Sequence, residues 1–200
     1  MGKIKFVYFD IGGVLVNHMA ALERVAEDLG VDEGLVKQVF SENADRLDRE
    51  EISWGEFEKT LMEKLGTDKS LEADLAEFFV ENFEKVESSH RLIGELEGRF
   101  EIGILSNVAR EIFDLIEKKE KIPMMDYKAV IKSGEWKVIK PEEEIYQIGE
   151  VKAGFAGEEI LFIDDKRVNV EEARALGWQA VQFDYKKAAE GVRKIRQRLG

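Results

Sequence analysis

The chain has 200 residues, 44% hydrophobic and 36% charged, enough to bury one good core with a smaller appended unit. The absence of cysteine excludes a disulfide framework, a zinc-thiolate site and a thiol nucleophile, and fits a reducing cytoplasm. With 42 acidic against 30 basic residues the formal charge is −12, which argues against a surface that tracks nucleic-acid phosphates. A small anionic substrate stays open, because charges beyond a Debye length of roughly 8 Å are largely screened.

The apolar run at 4–15 holds Lys5 and stops at Asp10, too short for a membrane span, so a soluble intracellular protein without a membrane partner is expected. It reads as a buried strand that delivers Asp10 to its own end and then turns through Gly12 and Gly13. Helical spacing follows at Leu22, Val25, Ala26 and Leu29, with Gly30 placed as a stop and Asp32 as the next N-cap. Leu35, Val36, Val39 and Phe40 continue an amphipathic face, and the charged stretch 42–51 reads as a solvated connection. Ser53 and Glu56 have capping-box spacing ahead of Phe57, Leu61 and Leu65, and Leu71, Leu75, Phe78 and Phe79 suggest one more helix. Residues 17–86 are therefore expected to be all-helical.

From Glu87 the period alternates. Helices centred on Leu92, on Ile112 and after Pro141 and Asn169 are interleaved with strands over 101–105, 129–131, 159–163 and 179–183, and a basic helix closes the chain. Such alternation implies right-handed crossovers and a parallel sheet. The expected fold class is α/β, a parallel-sheet core (1–16 and 87–200) with an inserted helical cap (17–86).

Four clusters fall at strand ends or helix starts: Asp10-Ile11-Gly12, Ser106-Asn107, Lys140-Pro141 and Asp164-Asp165. Each alone has a plain structural reading. Asp10 suits a turn, Ser106 or Asn107 an N-cap, Lys140 a solvated residue before a proline at the first helical position, and Asn169, three residues before Glu172, a capping box. Together they form one chemical set, because a parallel sheet gathers its strand ends. Carboxylates at ~4 Å repel by about 4 kcal/mol at an effective dielectric of 20, so Asp10 and the Asp164-Asp165 pair need compensation. A divalent cation supplies it, and oxygen ligands without His or Cys select Mg²⁺. Lys140 would then face a substrate phosphate, or Asp10 in its absence, with Ser106 donating to the remaining oxygens. The best nucleophile is Asp10, forming an acyl-phosphate that water cleaves.

The motifs F-D-I-G-G-V-L at Asp10, I-L-S-N at Ser106, I-K-P-E-E-E-I-Y at Lys140 and F-I-D-D-K-R-V-N at Asp164-Asp165 resemble, in order and context, those of the haloacid dehalogenase-like hydrolase superfamily. The resemblance implies a Rossmann-like core and a small helical cap over the site. It implies Asp10 as nucleophile and metal ligand, Gly12 as a ligand through its carbonyl, and Asp164 and Asp165 as the metal-binding pair. Ser106 and Asn107 would contact substrate, and Lys140 would stabilise charge.

One departure stands out. Most phosphatases that the chain resembles carry an Asp two residues after the nucleophile to protonate the leaving group, and this chain has Gly12. Such a group typically contributes ~10² to 10⁴-fold. Family members resembling α-D-glucose-1-phosphatase share the F-D-x-G pattern, and D-R-E-E-I-S-W-G-E-F in the cap looks like theirs, so a sugar phosphate is one expected substrate. His18 is the nearby side chain able to act as an acid at neutral pH, or it is a polar residue at the cap's start. Trp54 and Trp136 line an entrance or serve packing. The leading expectation is a Mg²⁺-dependent phosphatase acting on a small phosphorylated metabolite. A metal-independent 2-haloacid dehalogenase, or a catalytically weak binding protein, are the alternatives.

Overall fold

Strand β1 (Phe6–Phe9) is buried along its whole length because it lies at the centre of a sheet that is covered on both faces. The computed structural model describes residues 3–200. Strands β4 (Glu101–Ser106), β5 (Ala129–Lys132), β6 (Ile160–Asp164) and β7 (Gln179–Gln182) join it in the parallel order β5-β4-β1-β6-β7. The chain steps outward from β1 through β4 to β5, then returns to β6 on the other side. The winding reverses at β1, and ligand crevices open at the carboxyl ends of strands at such a point.

Alternation sorts the sheet's side chains. Val7 and Phe9 join Ile104, Leu161 and Ile163 under α5 (Glu87–Leu96), α6 (Arg110–Lys118) and α10 (Ala188–Leu199). Phe6 and Tyr8 join Leu105 and Phe162 under α8 (Glu143–Ala153) and α9 (Arg167–Ala175). Phe9 is level with Ile104 and Ile163, so Asp10, Ser106 and Asp164 emerge at one edge.

Between β1 and α5 lie four helices, α1 (Met19–Leu29), α2 (Glu33–Asp48), α3 (Trp54–Leu65) and α4 (Leu75–Glu81). Gly30 ends α1 at φ 66°, Asp32 caps α2 at Leu35 N (2.8 Å), and Ser53 and Glu56 form the expected reciprocal box. Phe40, Trp54, Phe57 and Phe79 make the aromatic centre of this layer. The segment 17–86 is not all-helical, however. Strand β2 (Val16–Asn17) pairs antiparallel with β3 (Glu84–Lys85), clamping entrance to exit, and two-residue strands carry no readable period. Among the described residues no helix is long and apolar enough to cross a membrane.

The stretch 42–51, expected to be a solvated connection, is mostly helix. Helix α2 continues to Asp48, burying Asn43 and Leu47, and the Asn43 amide donates to the Val39 carbonyl (2.8 Å). Beyond its end the charges are spent on the core. Ser133 Oγ, at the start of the short helix α7 (Ser133–Trp136), donates to the Asp48 carbonyl (2.6 Å) and accepts from Val108 N (2.8 Å). Glu50, at φ 51°, accepts from Arg110 N (2.8 Å), Arg110 Nη2 (2.7 Å) and Lys137 Nζ (3.2 Å). Arg49 pairs with Glu142 and donates to the Lys137 carbonyl (2.9 Å).

Arg110 chiefly, with Lys137, draws the Glu50 pKa from 4.5 down to about 2. A depressed carboxylate stabilises the folded state above its unfolded pKa and loses that contribution as pH falls through the folded one. In urea titrations the wild type should therefore unfold at higher urea than Glu50→Gln at pH 7. The gap should close between about pH 4.5 and 2, and an unchanged gap at pH 2 would mean that Glu50 acts through packing rather than charge.

Candidate active site

The end of β1 places Asp10 where Ile11 N donates to its Oδ1 (2.8 Å). Lys140 Nζ lies 2.9 Å from the same oxygen and 2.6 Å from Asp164 Oδ2, and donates to the Leu105 carbonyl (3.0 Å). Side-chain exposure is 1% for Lys140, 9% for Asp10 and 0% for Asp164, so this triplet is dry. The Asn107 amide holds Lys140 by its backbone: Nδ2 donates to the Lys140 carbonyl (3.0 Å) and Oδ1 accepts its N–H (2.7 Å).

Three local expectations change here. Ser106 and Asn107 do not cap a helix, because α6 begins at Arg110 with Ala109 at its N-cap. Pro141 is not the first helical residue, since α8 starts at Glu143. Asn169 is not a cap but lies inside α9, where its amide donates to both oxygens of Asp164 (3.0 Å each), while Lys166 N donates to Asp164 Oδ1 (2.7 Å).

Oxygens of Asp10, Asp164 and Asp165 all lie within 4.8 Å of one another. Burial, then Asp10 and Asp164, pushes Asp165 up to about 7. Burial raises Asp164 as well, and it outweighs Lys140, whose downward pull exceeds the upward push of Asp10. Burial pulls Lys140 down, but Asp10 and Asp164 more than restore it. Three carboxylates against Lys140 leave a formal charge of −2 in the cluster. Even with Lys166, which lines the same cavity, the site is negative before any phosphate enters it. The donors are hard oxygens, and Asp165 takes no side-chain hydrogen bond from the described residues. The set fits Mg²⁺, with Gly12 able to offer its carbonyl only.

Glycine is required next to it. Gly13 has φ 71°, and a Cβ there would sit 2.5 Å from Asp165 Oδ2. Adding Mg²⁺ should raise the melting temperature of the wild type. Gly13→Ala should remove most of that rise by displacing Asp165, whereas an equal rise would put Asp165 outside the metal site.

The site opens into a cavity of about 120 Å³. Asp10, Gly12, Ser106, Lys140 and Lys166 line its core side, and His18, Phe40, Ala44, Asp48 and Trp54 face them from the helical layer. The His18 ring occupies the space beside Gly12, where a Cβ would lie 3.0 Å from Nδ1. Burial, with Lys166, lowers the His18 pKa to about 4, so its imidazole is neutral at pH 7, and Nδ1 finds no partner. Trp54 lines the cavity with an unpartnered Nε1, whereas Trp136 is 40% exposed under Lys152, outside the lining. Sequence reasoning missed Asp48, hidden in a charged run, and Lys166, whose signal was its place directly after the acidic pair.

No family model and no curated protein matches the sequence. Solved structures do match in fold. A HAD family enzyme from Bacteroides thetaiotaomicron superimposes with a TM-score of 0.73 at 20% identity, covering 93% of this chain and 96% of that one. That enzyme has also been crystallised with magnesium and inorganic phosphate. A HAD-like family hydrolase from Porphyromonas gingivalis gives 0.72 at 24% identity over 98% and 99%. L-2-haloacid dehalogenase from Xanthobacter autotrophicus, with chloropropionic acid covalently bound, gives 0.69 at 22% over 90% and 77%. The chain has the fold of haloacid dehalogenase-like enzymes. It is a Rossmann-like α/β architecture whose five-stranded parallel sheet carries the acidic cluster at its carboxyl edge.

Proposed function

We propose that this protein is a Mg²⁺-dependent phosphatase of the haloacid dehalogenase-like superfamily, acting on a small phosphorylated metabolite, with 17–86 as its cap. The observation that carries this reading is the acidic triplet Asp10, Asp164 and Asp165, only partly neutralised by Lys140. A site with surplus negative charge repels a phosphate unless a cation joins it. Mg²⁺, held by those carboxylates and the Gly12 carbonyl, supplies charge neutralisation for the phosphoryl group.

The protein's own groups do the rest. Asp10, fixed by Ile11 N and Lys140, attacks phosphorus with its free oxygen and forms a phosphoaspartate. Lys140 is too well held by Asp164 and Leu105 to move, so it acts as a fixed charge beside the phosphoryl oxygens. Ser106, at the end of β4 in the cavity wall, is placed to donate to one of them. Asn107 spends its amide on Lys140 and serves substrate indirectly, by fixing the ammonium.

Apart from His18, Asp48 and the Trp54 Nε1, the cavity wall opposite the core is apolar, with Phe40, Ala44, Phe79 and Phe83, and offers few partners for hydroxyls. A sugar phosphate would leave most of its hydroxyls unpaired there, so a compact, largely apolar alcohol is the better fit. Metal-independent dehalogenation is the second reading, favoured by the likeness to the haloacid dehalogenase. The uncompensated Asp164-Asp165 pair weighs against it.

Phosphate release from 4-nitrophenyl phosphate should require Mg²⁺, and Asp10→Asn should lower it by at least ~10³-fold. Small alkyl phosphates should be better substrates than hexose phosphates by kcat/KM. Chloride release from 2-chloropropionate without metal would sink this reading, and silence on every substrate would make the protein a binding module.

A further inference from the structure

The phosphatase reading leaves one role empty, because Gly12 carries no side chain to protonate the leaving group. His18 fills that space but is neutral and buried, and a neutral imidazole N–H is far too weak an acid to take over. Another group in the cavity has the necessary chemistry.

Phe40, Ala44 and Asp48 follow one another at i, i+4 and i+8 along α2, on the stripe that faces the core's acidic cluster. Asp48 is the last residue of that helix, where the carbonyl end of the helix dipole disfavours a negative charge. Its backbone is pinned: Ser133 Oγ donates to its carbonyl, and the neighbouring Arg49 and Glu50 are tied to Glu142, Arg110 and Lys137. Asp48 thus lines, from a fixed frame in the helical layer, the same cavity that Gly12 lines from the core side. We infer that Asp48, on the cap, is the proton donor to the leaving-group oxygen and afterwards the base that activates water.

Charge around Asp48 supports the protonated form. Burial is the largest influence, and Asp10 and Asp45 add to it, against Lys166 and Lys140, so its pKa rises to about 8. His18, in the same cavity, is uncharged. The neighbouring Arg49 is paired with Glu142, and Glu50 with Arg110 and Lys137.

The proton balance closes. Asp10 oxygen forms a bond to phosphorus, the ester P–O bond breaks, and the departing oxygen takes the Asp48 proton to leave as an alcohol. Water then attacks the phosphoaspartate, giving its proton to the Asp48 carboxylate, and inorganic phosphate leaves with both aspartates restored.

The inference rests on the phosphatase reading, and one experiment separates the two. Wild type, Asp48→Asn, Asp48→Glu, His18→Asn and Asp10→Asn are assayed with Mg²⁺ on 4-nitrophenyl phosphate, phenyl phosphate and a small alkyl phosphate. Asp48→Asn should lose ~10² to 10⁴-fold on the alkyl ester. It should lose less than about 10-fold on the nitrophenyl ester, whose leaving group departs without a proton. Asp48→Glu should keep the ratio of alkyl to nitrophenyl rates near that of the wild type, and the basic limb of the wild-type pH profile should be absent in Asp48→Asn. Equal losses on all three esters, or a steeper leaving-group dependence in His18→Asn, would overturn the assignment. Full activity of Asp10→Asn, or wild-type inactivity on every ester, would remove the phosphatase reading and this one with it.

Discussion

The ammonium of Lys140, wedged between Asp10 and Asp164 with almost no contact with solvent, is the interaction on which the site's geometry depends. Burying three charges is expensive, and their mutual attraction recovers the cost only when geometry is good and remaining valences are filled. Here they are filled: Leu105 O completes Lys140, Ile11 N completes Asp10, and Asn169 with Lys166 N completes Asp164. The sheet makes this affordable. β1, β4 and β6 run parallel and level, so three backbones reach one edge together and Asn107 fastens the fourth. Removing Lys140 alone would strand two buried carboxylates, a change in the range of ~3–5 kcal/mol for broken buried pairs.

The same charge count leaves the cluster short of positive charge. Lys140 balances one carboxylate; burial raises both Asp164 and Asp165, and at Asp165 the neighbouring Asp10 and Asp164 add to it. A cluster built only for stability would be neutral. This one is held open to a cation by Gly13, whose missing Cβ makes room for Asp165.

Much of this was legible in the sequence and some was not. The order of strands and helices follows from a clean change of period at Glu87, and Asp10, Ser106, Lys140, Asp164 and Asp165 are brought together because each ends a strand or follows one. Asn169 was misread because its three-residue spacing to Glu172 matches a capping box, whereas its real partner, Asp164, lies five residues back at the end of β6. The stretch 42–51 failed for a different reason: Asn43 interrupts the apolar stripe, and its hydrogen bond to Val39 O belongs to the fold rather than to composition. Charge density there signalled solvent, yet Arg49 and Glu50 are consumed by partners about 60 to 93 residues away in sequence, which no local pattern reveals.

That misread stretch bears on how the two layers work together. Asp10 and Asp164 emerge at the sheet's edge, whereas Asp48 ends a helix tied to the core through Ser133, Glu50 and Arg49. Placing the acid on the nucleophile's own strand, as an Asp at position 12 would, makes it present whether or not the helical layer is closed. On the proposed reading, an acid on α2 meets the substrate from the helical layer, on the side of the cavity away from the strand that carries Asp10. His18 enforces this arrangement, since its ring occupies the volume that a side chain at position 12 would need. On that reading Gly12, His18 and Asp48 form one arrangement, in which the acid comes from the helical layer rather than from the nucleophile's own strand.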